Sequence, residues 1–71
     1  MNELFFVRLR ELRKKHKIGQ EKMAKYLDIS YSAYRRYESG DRDMPISIAV
    51  KLAELYGVTL DYLVGRDNTE T

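Results

Sequence analysis

The stretch Gln20–Gly40 constrains the fold of this chain most strongly, because it holds two short amphipathic patterns separated by a tight turn. The first pattern places three apolar residues on one side of a helix, namely Met23, Ala24 and Leu27. The second begins after Ser30, whose hydroxyl suits a helix N-cap, and continues to about Glu38. The spacing therefore predicts two helices that are joined by a turn at residues 28–30.

The second of these helices has two chemically different sides. Helical periodicity turns Ala33, Tyr34 and Tyr37 inward, toward a core. The outward side then carries two arginines, a hydroxyl and a phenol, from Arg35, Arg36, Ser32 and Tyr31. A helix with such donors, crossed by a preceding short helix, suits the DNA major groove. An ordinary solvated helix face beside a core is the alternative explanation of the same pattern.

The 71 residues predict one small domain. The chain has no cysteine and one histidine, His16, which excludes disulfides, thiolate metal sites and a histidine metal cluster. We therefore expect neither a metal nor a cofactor. The sequence also offers no phosphate loop and no nucleophile–base pair, so we expect no enzyme activity.

Charge is distributed unevenly along the chain. The net charge is +2, but residues 8–42 contain eleven basic and five acidic residues, whereas the segment from Asp43 onward has a net charge of −3. The positive segment, which is net +6, includes the predicted two-helix unit. A polyanion should therefore bind this part of the protein.

The N-terminus shows no signal peptide, because it is acidic at Glu3 and its apolar run over residues 4–7 is short. No stretch has the length of a membrane span. We therefore expect a cytoplasmic protein without membrane contact.

The rest of the chain predicts three further helices and no strand. The first helix runs from an N-cap at Asn2 to about His16, with a core-facing stripe of Phe5, Leu9, Leu12 and His16. His16 is expected to pack there or to sit favourably at the C-terminal end of the helix dipole, with a phosphate contact as the alternative.

A fourth and a fifth helix follow the two-helix unit. Gly40 suits the left-handed backbone conformation that ends the third helix. Pro45 is expected as the first residue of the fourth helix. The apolar face of this helix comprises Ile48, Leu52, Leu55 and Tyr56. Thr59 caps the last helix, over residues 60–64, and residues 66–71 are expected to form a frayed polar tail. The predicted fold class is therefore all-α, a compact five-helix domain over residues 1–65.

Three segments follow a known pattern in order and spacing: LRELRKKHKIGQEKMAKYLDIS, YSAYRRYESGDRDMP and KLAELYGVTLDYLVG. They resemble LRxLRxxxxLSQxxLAxxLGVS, a recognition helix that ends in RYExG before a proline, and KLAxxLGVSxDYLLG. These are features of the lambda-repressor-like helix-turn-helix family, also called Cro/CI-type or XRE-type, whose members regulate transcription in bacteria and phages. The resemblance extends from about Phe5 to Gly65.

The resemblance implies roles for individual residues. It implies contacts to DNA bases for Tyr31, Ser32, Arg36 and the neighbouring Arg35. It implies contacts to DNA phosphates for Gln20, Ser39, Arg42 and Ser47. Arg13 and Glu38 match a structural salt bridge that ties the first helix to the end of the third.

The chain departs from the family pattern at two positions. Gly19 replaces the usual Ser/Thr and removes one cap or phosphate contact. Asp28 replaces the usual turn glycine, although aspartate tolerates a left-handed conformation better than most residues.

Together these observations predict a sequence-specific DNA-binding transcriptional regulator, in particular a repressor. We expect it to bind a palindromic operator as a homodimer, because one small domain covers half of such a site. The expected dimer interface is the C-terminal helix, through Tyr56, Val58, Tyr62 or Val64. The alternative is an antitoxin or a protein-interaction adaptor with the same fold. An antirepressor is a possible further partner of the regulator, and a toxin is a possible partner of an antitoxin.

Overall fold

The computed structural model describes residues 1–67, and within them the chain forms five α-helices and no strand. The helices are α1 (Glu3–Lys15), α2 (Gln20–Leu27), α3 (Tyr31–Ser39), α4 (Ile46–Tyr56) and α5 (Leu60–Val64). This arrangement confirms the predicted all-α class. None of these helices has the length and apolar character that crossing a membrane requires.

Side-chain caps define the start of three helices. Helices α1, α3 and α5 begin after Asn2, Ser30 and Thr59, as the sequence predicts. Each side-chain oxygen accepts a hydrogen bond from the backbone N–H three residues later, at 2.9–3.0 Å. Pro45 differs from the prediction, because its extended ψ of 142° makes it the N-cap of α4 rather than the first helical residue.

The end of α1 corrects the prediction for His16. The chain leaves the helix after Lys15, because Lys17 adopts a left-handed conformation with φ of 57°. The N–H of Ile18 then donates to the carbonyl of Arg13 at 3.1 Å, which closes the helix end. His16 is therefore exposed rather than part of the core stripe, and its ring stacks on Tyr56 with 5.0 Å between centroids.

One hydrophobic core joins the helices, with α1 packed against α3 and α5, α2 against α3, and α4 against α5. Its fully buried members include Phe5, Leu9, Met23, Tyr34, Leu52 and Leu63. The sequence predicts Leu55 on the apolar face of α4, but its side chain is 37% exposed. Helix α4 packs through Ala49, Leu52, Ala53 and Tyr56, and this stripe turns Leu55 toward solvent.

The four residues expected at a dimer interface differ in how deeply they are buried. Tyr56 and Val58 are buried in the core, whereas Tyr62 and Val64 are half-buried on α5. Arg66 and Asp67 belong to the predicted frayed tail, yet their N–H groups donate to the carbonyl of Asp61 at 2.8 and 3.2 Å. The remaining tail residues, 68–71, lie outside the described part of the chain.

Candidate nucleic-acid interface

The turn between α2 and α3 is fixed by backbone and capping hydrogen bonds, which hold α3 in place. Asp28 has φ of 58° and ψ of 44°, the left-handed conformation for which the resembled family uses glycine. The next N–H, from Ile29, donates to the carbonyl of Ala24 at 3.0 Å and closes α2. Ser30 then caps α3. The two helices are therefore joined by hydrogen-bonded backbone rather than by a loose loop.

The outer face of α3 comprises four exposed side chains, from Tyr31, Ser32, Arg35 and Arg36. The opposite side of the same helix holds Tyr34 and Glu38, which are 0% and 1% exposed. The predicted orientation of α3 is therefore present in the structure. The guanidinium of Arg35 lies 5.6 Å from the ring centroid of Tyr31, one turn earlier, so these two residues form a cation–π pair on the outer face.

A cleft of about 520 Å³ opens beside this face. It is lined by Arg10, Gln20, Ser32, Arg35, Arg36, Glu38, Ser39 and Asp41. The cleft thus brings together five of the eight residues for which DNA contacts were predicted. Three arginines on its wall favour an anionic ligand.

Glu38 is the centre of a buried hydrogen-bond network behind the cleft. Arg13 donates to both carboxylate oxygens, from Nε to Oε2 at 2.9 Å and from Nη2 to Oε1 at 3.0 Å. The hydroxyl of Tyr34 donates to Oε2 at 2.6 Å. The amide nitrogen of Gln20 donates to Oε1 at 3.1 Å. Four donors from three helices therefore satisfy one buried carboxylate, as a buried charge requires.

This network changes the proton affinities of its members. Burial alone raises the pKa of Glu38, but hydrogen bonds from Arg13, Tyr34 and Gln20 lower it further than burial raises it. The net pKa of Glu38 is therefore below its ordinary value. The hydrogen bond to Glu38 raises the pKa of Arg13, so that the ion pair stays charged.

Tyr34 and Tyr56 both lie near the ion pair, and the pKa of both hydroxyls is raised. Burial and the hydrogen bond to Glu38 raise the pKa of Tyr34. Burial and the nearby Glu38 charge raise the pKa of Tyr56 to about 12. Within residues 1–67, however, the buried hydroxyl of Tyr56 has no hydrogen-bond partner. Tyr34 thus belongs to the network, whereas Tyr56 only borders it.

Gln20 connects the network to the surface of the protein. It was predicted to contact a DNA phosphate, and it does line the cleft. One hydrogen of its amide nitrogen is used on Glu38, which leaves the second hydrogen for another acceptor. Its phosphate contact stays a prediction.

The other predicted phosphate contacts are more dispersed. Ser39 lines the cleft, but its hydroxyl donates to the carbonyl of Arg36 at 3.1 Å. Arg42 is exposed in the following loop, with its guanidinium 6.0 Å from the ring centroid of Tyr37. Ser47 is exposed in the first turn of α4. Neither Arg42 nor Ser47 lines the cleft.

Sequence reasoning missed the part that two residues play in this region, Arg10 and Tyr34. The predicted place of Tyr34 in the core is confirmed, but its hydroxyl also bonds to Glu38, which lies one turn later, the spacing at which helical side chains meet. Arg10 likewise precedes Arg13 by three residues on α1, so both can face α3. The sequence predicts that the loop holding Asp41 faces phosphate, and Asp41 lines the cleft.

Comparisons with known proteins agree with this geometry. The helix-turn-helix family model matches residues 9–63. The uncharacterized HTH-type transcriptional regulator YobD of Bacillus subtilis is 40% identical over 62 residues, which are 87% of this chain and 55% of that protein. The regulator AnsR of the same organism is 42% identical over 60 residues, covering 84% of this chain and 52% of AnsR.

A phage protein is also similar. The cryptic phage CTXphi transcriptional repressor RstR of Vibrio cholerae is 30% identical over 66 residues, covering 93% of this chain and 60% of RstR. The chain thus spans about half the length of the curated relatives it matches. None of the solved structures matches it significantly. On the family match and these relatives, the chain belongs to the XRE-type, lambda-repressor-like helix-turn-helix family.

Proposed function

We propose that this chain is a sequence-specific DNA-binding domain that regulates transcription, and that it acts as a repressor. The observation that carries the proposal is the outer face of α3, where Arg35 and Arg36 are exposed together on a firmly supported helix. Family membership and the names of the relatives as transcriptional regulators support the same function.

Helix α3 enters the major groove in this proposal, because that groove admits an α-helix and displays a distinct pattern for each base pair. Arg35 and Arg36 bind guanine O6 and N7. A bidentate arginine–guanine contact gives about 1–3 kcal/mol of discrimination. Ser32 bonds to an adjacent base, and Tyr31 offers its ring to a thymine methyl group or its hydroxyl to a phosphate.

Phosphate contacts hold α3 in register on the duplex. Gln20 and Ser39 supply them at the cleft, beside the outer face of α3, and Ser39 does so by turning its hydroxyl from the carbonyl of Arg36 to the phosphate. Arg42 and Ser47 supply them from the exposed loop after α3 and the start of α4. The positive charge of residues 8–42 attracts the duplex toward this side of the protein.

A homodimer binds the operator in this proposal. The described residues hold one helix α3 and span at most 30 Å, whereas the centres of two half-sites lie about 34–36 Å apart, so the two half-sites need two copies. Tyr62 and Val64 on α5 are the remaining candidates for the interface, since neither is fully buried in the protomer. The protein would act in the cytoplasm, with bound dimers blocking transcription at a palindromic site.

A protein-interaction role, as an antitoxin or an adaptor, is the second candidate. The exposed apolar residues Ile46 and Val50, at 62% and 39%, lie one turn apart on α4 and favour a protein partner there. A toxin or an antirepressor would be such a partner. An adaptor, however, has no need of two arginines on the outer face of α3.

Selection from a random duplex library at near-physiological salt tests the proposal. A two-fold-symmetric motif, with half-sites about one helical turn apart, is the result expected of a dimeric regulator. If no motif is enriched and all binding disappears as salt rises, the basic face of α3 binds DNA without sequence preference. The regulator proposal then fails. The protein-interaction role then takes its place.

A further inference from the structure

Arg10, on α1, contacts the backbone at the end of α3. Its side chain is half-buried, and Nη1 donates to the backbone carbonyl of Glu38 at 3.2 Å. That carbonyl lies in the last turn of α3, where backbone oxygens lack partners within the helix. The bond uses one of the five N–H donors of the guanidinium, while the group also lines the cleft.

Gln20 lines the same cleft from the start of α2 and is anchored to the same residue. Its amide nitrogen donates to the carboxylate of Glu38, whereas Arg10 donates to the backbone carbonyl of that residue. Glu38 therefore holds two donors from two different helices on the wall of one cleft. Neither donor has to be ordered when a ligand arrives, which reduces the entropy cost of binding.

The charges of the cleft favour an anion. Two acidic residues line the cleft, and Glu38 is already paired with Arg13. Asp41 therefore remains as one negative charge beside the three positive charges of Arg10, Arg35 and Arg36. Arg35 and Arg36 belong to the outer face of α3, which the proposed function assigns to bases. Among the residues that line the cleft, Arg10 is the cation contributed by another helix.

We infer that the cleft seats one backbone phosphate of the duplex between Arg10 and Gln20, and that Arg10 is a DNA-positioning residue supplied by α1. The inference rests on the proposed function, because α3 must lie in the major groove for a phosphate to reach the cleft. Arg10 thereby sets the depth and register of α3 without contacting a base.

The variant Arg10→Gln tests this role on the full chain with the selected operator. Glutamine keeps an N–H donor for the Glu38 carbonyl but removes the charge. We expect binding to operator and to unrelated duplex to weaken by the same factor. The slope of log K against log salt should fall in magnitude by about 0.9 for each bound protomer.

Phosphate ethylation locates the contact. In each half-site, ethylation of one phosphate should block binding of the unaltered protein. Ethylation of the same phosphate should not affect binding of the Arg10→Gln variant. The matched control is Arg66→Gln, which removes the same charge beyond α5 and should change neither the salt slope nor the ethylation pattern. Weaker binding with an unchanged slope and pattern would make Arg10 a purely structural residue and overturn the inference.

Two further results separate the sources of failure. If the unaltered protein selects an operator and Arg10→Gln binds it identically, the inference fails while the proposed function stands. If the unaltered protein selects nothing, the proposed function itself fails. Inorganic phosphate, added at constant ionic strength, should not displace the operator; saturable displacement would identify the cleft as a site for a free anion and overturn the DNA assignment.

Discussion

Arg13 holds Glu38 through two roughly equal hydrogen bonds, at 2.9 and 3.0 Å, across 25 positions of sequence. The pair connects the C-terminal part of α1 to the last turn of α3. The side chains are 12% and 1% exposed, so both charges are largely removed from water. Such a pair contributes little net stability, but each charge depends on the other remaining in place.

Replacing Glu38 with alanine should therefore destabilise the domain severely. The change leaves Arg13 without its anion and removes the acceptor of Tyr34 and Gln20. Breaking a buried pair costs about 3–5 kcal/mol. Chemical denaturation and thermal melting should show a large loss, whereas Glu54→Ala on the exposed side of α4 should melt like the parent. An unchanged melting temperature for Glu38→Ala would show that the ion pair is not needed for the stability of the fold.

Two tyrosine-to-phenylalanine variants should differ, although both hydroxyls are buried near the same ion pair. Tyr34→Phe removes a 2.6 Å hydrogen bond to a charged acceptor, worth about 1.5–3 kcal/mol. Tyr56→Phe removes a hydroxyl that has no partner within residues 1–67, so it should leave stability unchanged or raise it. Urea denaturation of both variants checks the contrast, and equal losses would contradict it.

Acid should destabilise the fold partly through Glu38. Its pKa is lowered below the ordinary 4.5, so the unfolded chain binds the proton more tightly. The stabilisation is present above pH 4.5 and is lost as pH falls through the lower, folded-state pKa. Melting temperatures of the parent should thus decline in that acidic range. Glu38→Gln should decline less steeply, whereas Glu54→Gln should follow the parent.

Lys17→Gly should stabilise the end of α1. Lysine at φ of 57° carries a left-handed strain of about 1–2 kcal/mol, which glycine removes at an entropy cost of about 0.5–1 kcal/mol. A net gain of about 0–1.5 kcal/mol is expected from these terms. The control Lys14→Gly lies inside the helix and should instead lose about 1 kcal/mol. A loss in both variants would show that the left-handed turn is unstrained.

Arg36→Ala should relax sequence preference at one base pair of each half-site, with a loss of roughly 1–3 kcal/mol for the best operator. Arg42→Ala, in the loop after α3, should instead weaken binding uniformly across sequences. Competition among operators with single base changes measures both variants. Uniform weakening by Arg36→Ala would identify Arg36 as a phosphate contact.

Local sequence determined the helices of residues 1–67 and the three side-chain N-caps. Asn2, Ser30 and Thr59 cap the helices they were expected to cap, because a capping hydrogen bond spans three residues and needs no distant partner. The outer face of α3 followed from helical periodicity for the same reason. The Arg13–Glu38 pair, which the structure contains, was implied by family resemblance rather than by periodicity.

Tertiary structure decided the features that depend on how helices cross. Periodicity assigned His16 and Leu55 to the core, but the left-handed turn at Lys17 and the packing stripe of α4 expose both. Periodicity gave no reason to join Gln20 to Glu38, and it could place Arg10 on the same side of α1 as Arg13 without bringing it into the cleft. These contacts span 18 and 28 positions, and the angles between helices that create them come from the packed core as a whole.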